Sequence, residues 1–184
     1  MRMRTLRSCG RRAPKASPLR EKVTMPKVSV ERRLPFAPEA LRALVADVRA
    51  YPRFIPWIKA MRVSDEREQA GARAFLAEAI VGFMGLTERF ATYVTEDRRA
   101  QTVAVRLARG PFLRLENVWR FQPAGEGAVV HFSLDYEFKN PLLGALAQAN
   151  AERAAQLIMN AFVREAQARF APAIAANGAL SAAE

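Results

Sequence analysis

Apolar and polar residues alternate through the middle of this chain with a period of two. Phe75, Ala77, Ala79, Val81 and Phe83 fall on one face of an extended segment, and Val130, Phe132, Leu134, Tyr136 and Phe138 on one face of another. The opposite face of the latter carries Val129, His131, Ser133, Asp135 and Glu137. The same reading predicts strands over Lys27–Leu34, Ile58–Glu66, Ala72–Met84, Leu86–Glu96, Gln101–Ala108, Leu113–Gln122 and Ala128–Phe138, separated by short turns rich in Gly, Asp and Pro. Short turns make successive strands antiparallel neighbours. After the first strand the period changes. Pro38-Glu39 opens a helix to about Val48, with Leu41, Leu44, Val45 and Val48 on one side, and Pro52 and Pro56 bracket a second short helical turn. Asn140 as cap and Pro141 at the first helical position start the last helix, whose apolar stripe runs through Leu143, Leu146, Leu157 and Phe162, and which Pro172 stops. The fold class is therefore α+β: a curved antiparallel sheet of seven strands around a long C-terminal helix, with two short helices after strand 1.

One helix is the only long element available to cover the apolar face of so broad a sheet. A gap left between them is lined by hydrocarbon and suits an apolar guest. The candidate lining is Phe75, Val81, Phe83, Phe90, Trp119, Phe132, Leu134, Tyr136 and Phe138 from the sheet, with Leu143, Leu146 and Leu157 from the helix. Two loops pair apolar tips with cations: Phe54, Ile55 and Trp57 beside Arg53 and Lys59, and Phe112 and Leu113 beside Arg109 and Arg114. Both read as entrance loops that touch an anionic membrane surface.

Charge changes the picture at one end only. The chain carries 29 Lys and Arg against 18 Asp and Glu, a net +11, and eight of those cations against one acid lie in residues 1–24. The remaining 160 residues carry 21 cations and 17 acids, or +4. Residues 1–24 thus read as a disordered basic tail, as a transit peptide, or as upstream sequence that is not translated, since Met25 opens the ordered pattern. Residues 25–172 form the domain and 173–184 a loose C-terminal tail. No run of about 20 apolar residues is present to span a bilayer.

The chemistry-bearing residues are few. Cys9 and His131 are the only cysteine and histidine, so neither a disulfide within the chain nor a zinc site of the usual ligands is expected. A nucleophilic triad would rest on His131 alone, on the polar side of a strand. Glu78 and Glu88 are the acids nearest an apolar stretch, and solvent-facing strand positions account for them. There is no phosphate-cradling glycine loop and no DNA-binding motif, so no catalytic residue, metal or DNA partner is expected.

Three segments carry a family resemblance: Leu34-Pro35-Phe36-Ala37-Pro38 through Tyr51-Pro52-Arg53-Phe54-Ile55-Pro56-Trp57; Arg109-Gly110-Pro111-Phe112 with Leu115 and Trp119-Arg120-Phe121; and Tyr136-Glu137-Phe138-Lys139 into Pro141-Leu142-Leu143, with Ala161-Phe162 downstream. Over residues 27–170 the chain resembles the coenzyme Q-binding Coq10 family of the START-like (polyketide cyclase/dehydrase and lipid transport) superfamily. The resemblance implies a helix-grip fold. It also implies ubiquinone, or a polyprenyl lipid of its synthesis, as bound ligand rather than cofactor, and a lipid chaperone supporting respiration rather than an enzyme. In the family a basic residue usually follows Gly-Pro-Phe; here Leu113 stands there and Arg114 comes next. The family also includes a ribosome-association toxin, which keeps ribosome contact open as an alternative, and a cyclase-like enzyme on the same fold is a second. The implied place is the cytoplasm, peripheral at the inner membrane of a bacterium, or the mitochondrion if residues 1–24 are a transit peptide.

Overall fold

The computed structural model describes residues 28–83 and 86–170. The expectations for residues 1–24 and 173–184 lie outside them. Seven strands follow one another: β1 (Val28–Leu34), β2 (Ile58–Gln69), β3 (Ala72–Phe83), β4 (Leu86–Asp97), β5 (Thr102–Arg109), β6 (Phe112–Ala124) and β7 (Gly127–Phe138). They form one sheet in the order β1-β7-β6-β5-β4-β3-β2, every pair antiparallel. The first and second strands are therefore the two edges. The chain passes between them through α1 (Pro38–Ala46), a single 3-10 turn (Val48–Ala50) and α2 (Tyr51–Phe54).

Register fixes the two faces. Phe75 lies opposite Val94, Ala77 opposite Thr92, Val103 opposite Trp119, and Trp119 opposite Phe132. Directly paired residues share a face, so these side chains form the inner, concave surface. β-Bulges interrupt the register at Asp65, at Ala91/Thr92 and at Leu113. Each extra residue bends its strand and increases the local twist, which curls the sheet inward.

Asn140 caps the C-terminal helical region as its sequence predicts, accepting the Leu142 amide at 2.9 Å. The expected single helix is, however, two: α3 (Pro141–Ala149) and α4 (Ala151–Phe170). Asn150 divides them. Its N–H closes a tight turn on the Ala147 carbonyl, and its own carbonyl accepts the first bond of α4 from Ala154. Asparagine favours this half-in, half-out position over a helix interior. β2 also runs three residues beyond its predicted end, because the Asp65 bulge carries the ladder past the charged stretch.

The core lies where α1, α2 and the C-terminal half of α4 meet the concave face. Leu41, Leu44 and Val45 of α1, Phe75, Val94, Val103, Trp119, Phe121, Val130 and Phe132 of the sheet, and Met159 and Phe162 of α4 are all buried. Phe162 sits at the centre of an aromatic cluster, with ring centroids 4.9 Å from Trp119, 5.2 Å from Tyr51 and 5.2 Å from Phe54.

One ionic pair is buried at this end. Arg42 of α1 donates to Glu96 of β4, and its Nε reaches Gln101 at 3.3 Å. Removing one partner strands a charge away from water. Arg42→Ala is expected to lose roughly 3 kcal/mol in urea unfolding, and the double change Arg42→Met with Glu96→Leu to lose much less.

Tyr51 is a second polar group held in the core, its hydroxyl donating to the Val45 carbonyl. Burial, and then the charge of Asp47, push its phenol well above the ordinary value of 10.0. The folded state thus keeps a neutral phenol that the unfolded chain would ionise. That stability is complete below pH 10.0 and falls as pH rises above it. Tyr51→Phe is expected to flatten the alkaline fall in stability, measured by urea unfolding from neutral pH to above that value.

Candidate functional site

Burial changes along the concave face. Under α1, α2 and the later turns of α4 the inner residues are fully buried. Toward the other end of the same strands they are only partly covered: Val81, Phe90, Val105, Leu107, Phe112, Leu115, Leu134 and Phe138 are half-buried although apolar. The helix explains the difference. α4 points Met159 and Phe162 at the packed half, whereas its first turns present Ala151 and Ala155, and α3 contributes Gly144, Ala145 and Ala149. Small residues fill less space, so the sheet beneath them is left partly uncovered.

An open cleft of about 1080 Å³ lies at this end, between α3, the first turn of α4 and the end of β7. Tyr136 and Phe138 form its sheet wall, Pro141, Gly144, Ala145 and Ala151 its helical wall, and Val28 and Leu113 two of its edges. Glu137, Lys139, Glu152 and Arg153 rim it. The volume is at the top of the range for small-molecule sites, roughly 300–1,000 Å³. Tyr136 ties the two walls together through its hydroxyl, which donates to the Ala147 carbonyl of α3 at 2.8 Å. Burial raises its pKa above the ordinary phenol value.

The residues expected to line a cavity divide into groups. Tyr136 and Phe138 line the cleft, whereas Val81, Phe90, Leu134 and Leu143 are half-buried but are not among the residues that border it. Phe75, Trp119 and Phe132 are packed in the core instead. Leu157 is 47% exposed, so its assignment to the cavity is corrected: it stands two residues from Met159, on the outer side of α4. The side chains of Phe83 and Leu146 lie outside the described residues.

The entrance loops are corrected more sharply. Ile55 is buried in the core, Phe54 packs edge-on against Phe162, and Trp57 lies against the same cluster. The two prolines fold this segment inward instead of presenting it to a membrane. Phe112 is also turned in, its ring 5.4 Å from Phe90 and 4.5 Å from Phe138. Gly110 allows that approach: its φ is +148°, and a Cβ there would meet the Phe90 Cβ at 2.4 Å. Only Leu113, the bulge residue, stands out, 62% exposed. Arg114 is engaged, donating to Asp135 at 2.9 Å with Glu137 at 3.9 Å.

Two features escape the sequence pattern. Leu142 is 80% exposed at the start of α3, although helical periodicity assigns it to the apolar stripe. Asn117 is a polar residue in the inward series Leu115, Asn117, Trp119, Phe121, and that break in alternation is its signal. The other titratable candidates are at the surface of the sheet or its rim. Glu78 pairs with Arg109 across Ala91, Glu88 is exposed, and His131 lies 3.1 Å from Glu31 and 3.2 Å from Gln122. Among the described residues no group of three or more His, Cys, Asp or Glu is placed to hold a metal ion, and no helix is long and apolar enough to cross a membrane.

A curved antiparallel sheet gripping a helix, with an open cleft at one end, is the START-like fold. Residues 34–163 match the family described as polyketide cyclase / dehydrase and lipid transport, and the chain belongs to it. It is 33% identical over 135 residues to the ribosome association toxin RatA of Pseudomonas aeruginosa, covering 73% of this chain and 90% of that one. It is 31% identical over 138 residues to the mitochondrial coenzyme Q-binding protein coq10 of Schizosaccharomyces pombe, covering 74% and 84%. The solution structure of the 18 kDa protein CC1736 from Caulobacter crescentus superposes with a TM-score of 0.66 at 43% identity, over 77% of this chain and 95% of that one. The Zhui aromatase/cyclase of a Streptomyces species shares the fold alone, with a TM-score of 0.63 at 15% identity over 79% and 96%.

The burial gradient makes two substitutions of the same chemistry differ in cost. Phe132→Ala, in the packed half, is expected to lose about 3–5 kcal/mol. Phe138→Ala, at the cleft wall, is expected to lose about 1.5 kcal/mol or less, because its ring is already partly in contact with solvent. Urea unfolding of the two variants measures the difference.

Proposed function

We propose that this protein is a carrier that holds ubiquinone, or a polyprenyl lipid of its synthesis, between the half-covered sheet and the alanine-lined start of the helix. The observation that carries this reading is the run of half-buried apolar side chains leading to the cleft bounded by Tyr136 and Phe138. Each buried methylene contributes about 0.8 kcal/mol, so an isoprenoid chain needs continuous apolar walls to leave a bilayer. The coenzyme Q-binding relative supports the choice of guest. The inward polar groups in the middle of this face are the neutral side chains of Asn117 and Thr92, with Tyr136 at the cleft and the Glu88 carboxyl at the exposed rim, which favours holding a lipid over converting it.

The exposed Leu113 and Leu142 supply a membrane-facing edge beside the cleft, with Lys139 at its rim. This arrangement favours peripheral contact with an anionic bilayer surface, such as the inner face of a respiratory membrane.

Lipid extraction and mass spectrometry of the purified protein should recover a polyprenyl quinone or its precursor. Recovery of none, together with no uptake of added ubiquinone, would sink the carrier reading. Leu142→Ser is expected to slow ubiquinone transfer between anionic vesicles several-fold while leaving ubiquinone binding in detergent unchanged.

A second reading, contact with the ribosome, is favoured by the relative named for it and by one surface feature. Tyr93 is 60% exposed on the convex face, directly opposite the exposed Arg106. An aromatic beside a guanidinium suits stacking on an unpaired base. Co-sedimentation with ribosomal subunits that Tyr93→Ala with Arg106→Ala abolishes would establish this reading.

A further inference from the structure

We infer that Asn117 receives a headgroup oxygen of the bound lipid, so that the headgroup lies inside the hollow and the chain leaves through the cleft. This rests on the carrier reading above. Asn117 lies opposite Leu134 on one side and Val105 on the other, with Leu115 and Trp119 two residues away on the same face. All of these neighbours are apolar. Its Nδ2 donates to the Ser133 carbonyl at 3.2 Å. That bond sets the amide orientation, since only the NH2 can face a carbonyl. It leaves Oδ1 and the second N–H without a partner among the described residues.

A half-buried amide with half its hydrogen-bonding capacity unused is costly in an apolar wall unless water or a guest supplies the rest. Thr92 is the other polar residue on the middle of this face, and at 5% exposure it is too covered to do so. Asn117 is only half-buried and so can be reached.

The chemistry selects the guest. The charged groups of the concave face are already paired or lie at its margins: Arg42 with Glu96 at the packed end, Arg32 with Gln156 under α4, and exposed Glu88 at the rim. Among the described residues a phosphate headgroup would therefore meet no free cation at Asn117. A neutral ring bearing oxygens fits. An amide both donates and accepts, so Asn117 can donate to a quinone carbonyl and accept from the hydroxyl of the corresponding quinol. One residue then serves both oxidation states of the guest.

The test uses the full chain and three probes: ubiquinone-2, its quinol, and squalene, an isoprenoid hydrocarbon with no headgroup. Asn117→Leu keeps the size and removes the polar atoms. It is expected to weaken ubiquinone-2 and the quinol roughly three- to tenfold, and to leave squalene unchanged or tighter. Asn117→Gln, which keeps the amide, is expected to retain more of the quinone affinity than Asn117→Leu. Equal loss for quinone and squalene, or no loss for any probe, overturns the assignment of Asn117 while leaving the carrier reading in place. If the wild-type chain binds none of the three probes, the carrier reading itself fails and the assignment with it. Urea unfolding of each variant separates loss of binding from loss of the fold: Asn117→Leu is expected to be at least as stable as the wild type, because it removes a half-satisfied amide.

Discussion

The organisation of this protein depends on a mismatch of area: seven strands present a continuous apolar surface, and one helical region has to cover it. Apolar surface left in contact with water is unfavourable in proportion to its area. The chain resolves the mismatch unevenly. Phe162 and Met159 close one half against Trp119 and Phe132, while Ala151 and Ala155 leave the other half thinly covered. The first half supplies the stability that lets the second remain incomplete. Binding sites in general draw on stability generated elsewhere in the fold.

The surrounding devices follow from that division. Arg42 and Glu96, and Tyr51 with the Val45 carbonyl, spend their polar contacts at the packed end, where they lock α1 and α2 onto the sheet. At the open end the contacts are fewer and more local: the Tyr136 hydroxyl on the Ala147 carbonyl, the Asn140 cap, and the Lys139 amide on the Pro111 carbonyl. Asn150 interrupts the helix between the two regimes. α3 and α4 therefore meet the sheet as separate helices. Regions with few buried apolar contacts are where local opening is least costly.

Relatives within the family are named for quite different roles, from coenzyme Q binding to ribosome association, and the wider fold includes an aromatase/cyclase. One scaffold hosts several functions because each uses a different surface of it. In this chain the half-covered part of the concave face is mostly apolar and carries the half-buried amide of Asn117, and the convex face carries paired charges, His131 bonded to its neighbours, and Tyr93 exposed. These are chemically separate surfaces, and each suits a different class of partner.

Strand period and the short turns between strands were sufficient for the seven strands, their antiparallel succession and the inward faces of β3 and β7, because a period of two leaves no freedom once one face must be buried. The caps at Pro38 and Asn140 were equally legible, since proline and asparagine act through local backbone chemistry. The lining of the cleft was not. Phe132 and Phe138 have the same residue type and the same phase in one strand, yet one is core and the other is cleft wall. What separates them is which helical residue lies above, and that is a contact between segments distant in sequence. Ile55 and Leu113 read alike as apolar tips beside cations. Chain reversal at Pro52 and Pro56 buries the first, and a bulge turns out the second. The sequence by itself determined periodicity, caps and the excess of apolar sheet surface, because those are local or summed properties. Only the tertiary structure decided where the surface stays uncovered, because that depends on how side-chain volumes meet across the fold.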